Sequence, residues 1–229
     1  MGDIGPVGPS TGWGVVHLFF RVGPEVDPAM VRGAFKAAAD HDVQVVTFAV
    51  LGHKADLGVM ALGPDLWQLR RLQTDLVAAG LELTGSYVSL TEVSEYAAGM
   101  PEEMQHARLY PRLPPDGMPA ICFYPMSKRR LEGQNWYTLP YEQRKELMYG
   151  HGAVGRTFAG RILQLITGSV GLDDWEWGVT LFGRHPDDLK EVVYKMRFDE
   201  ASALYAEFGP FWTGLVAGID DVLAGLGVG

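Results

Sequence analysis

The feature that most constrains this chain is a recurrence of pattern rather than of letters. Between Trp13 and Leu90, apolar periodicity broken by Gly, Pro and Asp predicts strand 13–22, helix 27–40, strands 44–52 and 57–62, helix 65–79 and strand 82–90. From Ala120 the same order returns: strand 120–126, helix 141–150 continuing in a short helix to 159, strands 160–167 and 175–182, helix 186–196 and strand 205–213. Each half reads β-α-β-β-α-β, the ferredoxin-like unit, whose sheet carries helices on one face and leaves the other bare. Two bare faces in one chain can cover each other. The expected fold class is therefore α+β, with two ferredoxin-like halves packed as a dimeric α+β barrel within one chain.

Punctuation sharpens the divisions. Asp27 followed by Pro28 reads as a helix start, and Gly80 falls where a helix end needs a left-handed residue. Residues 1–12, rich in Gly, Pro, Ser and Thr, are expected to form a flexible arm. The N-terminal half spans 13–90, a connector containing Pro111, Pro114, Pro115 and Pro119 spans 91–119, the C-terminal half spans 120–217, and a tail spans 218–229. Asp220 and Asp221 interrupt the apolar tail well short of a membrane span.

Charge narrows the function. Nineteen Lys and Arg oppose 28 Asp and Glu, a net charge of −9, and such a field repels nucleic-acid phosphates and anionic lipid heads. The single cysteine, Cys122, excludes an internal disulfide or a cysteine metal cluster. No charged segment followed by an apolar core opens the chain, so a cytoplasmic location is expected.

A few polar residues interrupt the apolar pattern. Along the strand from Ala120, Cys122, Tyr124 and Met126 share a face, joined by Lys128 if the strand continues. A buried tyrosine usually only hydrogen-bonds at a core edge; a phenol with an ammonium on one wall would also suit a carboxylate ligand. Gln164 interrupts the stripe Ile162–Ile166, and its amide either pairs with nearby backbone or points into a cavity. His151 projects where the helix from Tyr141 gives way between Gly150 and Gly152; a lone imidazole there often only meets free helix carbonyls. Gly150, Gly152 and Gly155 spell G-x-G-x-x-G, but a helix precedes them where a dinucleotide site needs a strand. The other histidines, at 17, 41, 53, 106 and 185, lack zinc-hydrolase spacing. The run Lys128–Arg130 and the scattered Arg108, Arg156 and Arg197 are by themselves ordinary surface charge.

Taken together, longer stretches are more specific. Tyr124-Pro-Met-Ser-Lys-Arg-Arg130, Asn135-Trp-Tyr137, His151-Gly-Ala-Val-Gly-Arg156, Gln164-Leu-Ile-Thr-Gly-Ser169, Asp173-Asp-Trp-Glu-Trp-Gly-Val-Thr-Leu-Phe182 and Met196-Arg-Phe-Asp-Glu-Ala-Ser202 together resemble the coproheme decarboxylases, Firmicutes type, among the chlorite dismutase-like haem proteins. The similarity is dense from Tyr87 to Thr213 and mainly architectural before that, with Gly52-His-Lys-Ala-Asp-Leu57 the best local match. It implies iron-coproporphyrin III as a substrate that is its own cofactor, haem b as product, hydrogen peroxide as oxidant and assembly as a homopentamer. Contact with a coproporphyrin ferrochelatase is a further partner it brings into view.

By the same resemblance His151 is the iron ligand, Tyr124 the redox-active tyrosine and Lys128 the cation and proton donor beside a reacting propionate. Arg108, Arg197 and Ser202 hold propionates, Met126 and Trp136 line the porphyrin edge, Tyr87 contacts a propionate, and Gln164 faces the distal side of the iron. Proteins resembling true chlorite dismutases carry arginine where this chain has Gln164, which disfavours chlorite dismutation. The alternative is a haem-binding peroxidase or weak chlorite-degrading protein of the same superfamily.

Overall fold

The computed structural model describes residues 5–97 and 99–228. In the N-terminal half, β1 (Gly14–Arg21), α1 (Pro28–Ala39), β2 (Gln44–Val50), β3 (Leu57–Gly63), α2 (Leu66–Ala78) and β4 (Glu82–Thr91) follow the expected order. The connector holds α3 (Glu102–Leu109). Then come β5 (Ala120–Lys128), a small hairpin of β6 (Arg130–Leu131) and β7 (Gln134–Asn135), α4 (Tyr141–Arg156), β8 (Ile162–Gly168), β9 (Trp177–Gly183), α5 (Pro186–Met196), α6 (Glu200–Tyr205), β10 (Ala206–Phe208), β11 (Trp212–Val216) and α7 (Ile219–Gly225).

All strand pairings in the main sheet are antiparallel. The N-terminal half runs β4-β1-β3-β2 and the C-terminal half β8-β9-β5-β11. Two seams join them, Gly214 opposite Val50 and Leu90 opposite Gly168, so the eight strands close into a barrel without free edges. Strand alternation then decides what lies inside. Val15, Phe19, Phe48, Met60, Ile121, Phe123 and Phe182 fill the lumen as one buried cluster, and Phe19 stacks on Trp212 at 4.4 Å between centroids.

Local chemistry fixes the helix ends. The Asp27 carboxylate accepts from the Ala29 and Met30 amides at 2.8 and 3.2 Å, and Pro28 needs no donor of its own in that first turn. Gly80 takes a φ of +92°, and a Cβ there would lie 2.8 Å from the Glu25 carbonyl oxygen.

Three segments differ from the sequence expectation. Helix α4 runs unbroken to Arg156, so His151 lies within it rather than at its end; glycine weakens a helix by about 1 kcal/mol without forbidding it. The expected strand 205–213 is split, because Gly209 and Pro210 separate β10 from β11 and its first residue closes α6. The tail folds as α7, whose Val222 and Leu223 are buried with α1 and α2. Within the arm expected to be flexible, the Val7 amide donates to Asp65 at 3.0 Å and the Gly12 amide to the Tyr110 hydroxyl at 3.2 Å. Composition does not show such long-range fastenings.

Candidate active site

Strand β5 extends to Lys128, so Cys122, Tyr124, Met126 and Lys128 do share the outer face of the C-terminal half. Register carries that face across the sheet: Tyr124 is opposite Val179, and Val179 opposite Ile166, while Cys122, Leu181 and Gln164 form the next row. Tyr124 is buried between Phe211, stacked at 4.5 Å, and Phe208, edge-on at 5.6 Å. Burial, and the nearby Cys122, push its phenol well above the usual range, so it stays protonated at any physiological pH. At the other end of the row Gln164 is exposed and Ile166 is 39% exposed, on a sheet face where apolar residues are normally covered. The amide of Gln164 thus faces open space.

Helix α4 stands over this half without a single fully buried residue. Its half-buried stripe runs Arg144, Leu147, Met148, His151, Gly152 and Gly155 at helical spacing, which aims the imidazole inward. Nδ1 of His151 lies 3.1 Å from Oδ2 of Asp199 and 3.4 Å from Oγ of Ser202. A carboxylate can only accept, so Nδ1 carries a proton, and in the neutral ring Nε2 is the nitrogen left with a free lone pair. Burial alone would raise the Asp199 carboxyl, but hydrogen bonds from His151 and Ser202 outweigh it and hold the group below the ordinary carboxylate value. Asp199 also caps α6 by accepting from the Ser202 amide at 3.2 Å. One carboxylate therefore fixes both the helix end and the ring orientation.

Lys128 is 9% exposed. Its Nζ donates to the Ala201 carbonyl at 3.2 Å and lies 4.2 Å from the centroid of Trp136. Burial lowers its pKa to about 8, against the opposing pull of Asp199 and Glu176. Glu176, itself buried, accepts from the Lys128 backbone amide at 2.8 Å and pairs with Arg130. The backbone that presents the ammonium is thereby anchored from two sides.

The structure thus gathers Lys128, Trp136, His151 and Ser202 around α6, with Tyr124 and Met126 further along the face that Gln164 shares. Arg197 is exposed at the C-terminal cap of α5, two residues before Asp199. Arg108 is exposed in the last turn of α3 and lies outside the hydrogen-bonded group around His151. Tyr87 is a correction: alternation along β4 turns it into the barrel lumen, where its hydroxyl donates to the Trp175 carbonyl at 3.1 Å, away from the outer face. Burial there raises its pKa to about 12. Two partners escaped the sequence reading, Asp199 and Glu176, though both fall within stretches singled out there. The Asp-Glu-Ala-Ser order at 199–202 is a helix-start pattern that could have flagged Asp199.

Among the described residues no group of three or more His, Cys, Asp or Glu side chains could hold a metal ion. A single imidazole with a bare Nε2 suits a metal that brings its other ligands in a macrocycle. The exposed Gln164 and Ile166 leave part of the outer sheet face uncovered for one. Residues 28–217 match the family model described as chlorite dismutase. The chain belongs to this family. It is 44% identical to the coproheme decarboxylase of Staphylococcus carnosus, over 90% of this chain and 92% of that protein. It is also 45% identical to the coproheme decarboxylase of Staphylococcus saprophyticus, over 82% and 78% of the two chains. A heme-binding protein from Thermus thermophilus superposes with a TM-score of 0.83 at 35% identity, covering 98% of this chain and all of that one. A chlorite dismutase mutant from Candidatus Nitrospira defluvii, at 18% identity and a TM-score of 0.77, shares the fold.

Proposed function

We propose that this chain is a coproheme decarboxylase, converting iron-coproporphyrin III to haem b with hydrogen peroxide. The observation that carries the reading is the pairing, within one cluster, of a carboxylate-oriented imidazole with a buried ammonium in a protein of net charge −9. A substrate with four propionates needs positive charge placed locally, and charge-assisted hydrogen bonds in a low-dielectric pocket are worth more than in water. Its iron supplies the oxidising power; the protein supplies placement and proton control.

Nε2 of His151 ligates the iron, and Asp199 keeps the ring in that tautomer. Lys128 neutralises one propionate and passes protons to it; burial, which lowers the pKa of the ammonium in the free protein, makes it a readier donor. Tyr124 gives up an electron and its phenolic proton, and the resulting radical takes hydrogen from the propionate β-carbon. The propionate loses carbon dioxide, one proton and two electrons and becomes a vinyl group; peroxide takes up two electrons and two protons and becomes two waters. Two such cycles, through a monovinyl intermediate, give haem b. Arg197, Ser202 and Arg108 hold the remaining propionates, Met126 and Trp136 border the ring, and Gln164 faces the iron from the opposite side. A homopentamer, a cytoplasmic location and transient contact with a coproporphyrin ferrochelatase belong to the same proposal.

The test is to titrate peroxide into the protein mixed with ferric coproporphyrin III and follow the tetrapyrrole by mass spectrometry. Stepwise loss of two carboxyl groups is expected. Unchanged coproheme, with oxygen released from added chlorite by the haem b form, would assign the chain to the chlorite-degrading alternative.

A further inference from the structure

The aromatic residues of the C-terminal half form two different surroundings. Around Tyr124 the ring neighbours are Phe208 and Phe211, and phenylalanine is far harder to oxidise than tyrosine or tryptophan. A hole on Tyr124 therefore stays there. Trp136 is placed otherwise. Buried under the Lys128 ammonium, it meets Tyr96 edge-on at 6.4 Å between centroids, and Tyr96 stacks on Tyr141 at 5.9 Å. Tyr141, 38% exposed at the start of α4, brings the row to solvent. The other neighbour of Trp136, Tyr205 at 5.4 Å, is buried and leads nowhere.

Resting on the peroxide-dependent reading above, we propose that Trp136, Tyr96 and Tyr141 form an escape path that carries oxidising equivalents from the site to the surface when peroxide is consumed without decarboxylation. Trp136 gives an electron to the oxidised site, Tyr96 refills Trp136, and Tyr141 refills Tyr96. Tyr141 releases its phenolic proton to water and ends as a neutral tyrosyl radical. A one-electron reductant from solution, of the ascorbate class, returns an electron and the proton follows from water. Two passages deliver the two electrons that, with two protons, reduce one peroxide to two waters.

The polar surroundings suit these roles. The Tyr96 hydroxyl is buried away from water and makes no well-formed hydrogen bond, so it cannot pass its proton directly to solvent and the hole moves on. Tyr141 is 38% exposed; its hydroxyl is reached by water and donates to the Glu95 carbonyl at 3.3 Å, so its proton has a way out to solvent. Lys128 over Trp136 resists entry to the path, because a cation opposes positive charge on the ring. The path is thus entered only by an oxidant that outlives the fast reaction at Tyr124.

The experiment treats the haem b-loaded protein with excess peroxide in the presence of a nitroso spin trap, locates the adduct by peptide mass spectrometry and records the decay of the Soret band. Tyr141 is expected to carry the adduct. Tyr96→Phe, which removes a hydroxyl without a well-formed hydrogen bond, should abolish labelling at Tyr141 and speed macrocycle bleaching several-fold. Tyr141→Phe should speed bleaching to the same degree. Undiminished labelling of Tyr141 in Tyr96→Phe, or bleaching indifferent to both variants, would overturn the proposal. So would a principal adduct on Tyr149, which is more exposed on the same helix. Failure to convert coproheme while Tyr141 is labelled would defeat the decarboxylase reading and leave the path standing.

Discussion

The two halves repeat one order of elements and yet cover their outer sheet faces in opposite ways. In the N-terminal half, α1 and α2 bury Val31, Ala34, Ala38, Leu69, Leu72 and Leu76 against the sheet, α7 adds Val222 and Leu223, and every residue of β3 is buried. In the C-terminal half, α4 buries nothing fully, α5 buries only Asp188, Leu189 and Val192, and β8 leaves Gln164 and Ile166 open. Apolar burial contributes roughly 25 cal/mol per Å². The covered half and the barrel lumen therefore supply most of the folding energy, which leaves the other face less committed to the fold and, on the proposed function, available to a flat apolar ring.

Two substitutions should pull these roles furthest apart. Tyr124→Phe keeps the ring that Phe208 and Phe211 pack against and removes the phenol to which the proposal assigns hydrogen abstraction. Conversion of coproheme, followed by mass spectrometry, should fall below detection while the Soret shift on binding and the denaturant midpoint stay unchanged; retained turnover would remove the radical role. Leu72→Ala does the opposite. Leu72 is 1% exposed between α2 and the sheet, so truncation should cost about 3 kcal/mol in urea unfolding with turnover per folded molecule preserved.

What the sequence revealed differs along the same division. The closed barrel was legible because alternation and helix period are local signals, and residues 14–91 kept their order with ends shifted by a residue or two. The shared face of Tyr124 and Lys128 was legible from strand period alone. Tyr87 was misplaced for lack of register: pairing opposite His17 is what turns it into the lumen. Asp199 and Glu176 act through residues about fifty positions away, and no spacing rule couples a side chain to His151 or Lys128 at that distance. Helix α4 misled at its end, because Gly150 and Gly152 signal a break that the fold does not make.

Two buried bases, one in each half, give pH effects of intermediate size. Lys128 has its pKa lowered from 10.5 to about 8, so between those values the unfolded chain binds more protons than the folded one. Unfolding free energy should therefore rise from pH 8 to 10.5. Lys128→Met should flatten that rise and, by removing the buried charge, stabilise the protein at neutral pH by about 2 kcal/mol. It should also weaken coproheme binding, and the parent protein, but not the variant, should lose affinity as the ammonium deprotonates at alkaline pH. His17, in the lumen, stacks on Phe123 at 3.9 Å and shares a hydrogen bond with Thr180 at 2.9 Å; burial lowers its pKa from 6.5 to about 3. Here too the unfolded chain holds the extra proton, so stability should fall as pH drops from 6.5 toward 3. His17→Gln should flatten that acid limb and leave the alkaline one untouched, as read by urea midpoints across pH.

The smallest expected effect bears most directly on the open face. Ile166 is 39% exposed, so in the free protein its side chain is already half hydrated and its truncation removes little buried area. Ile166→Ala should change the unfolding free energy by no more than about 0.5 kcal/mol. If a flat macrocycle lies over this part of β8, the same methylenes become buried on binding, and their loss should weaken coproheme affinity by roughly 1 kcal/mol, about five-fold. Titration of the Soret band in the parent and the variant measures this directly. Equal affinities, or an affinity loss matched by an equal loss of stability, would mean that Ile166 serves the fold as Leu72 does, and that the difference between the halves is not one of binding.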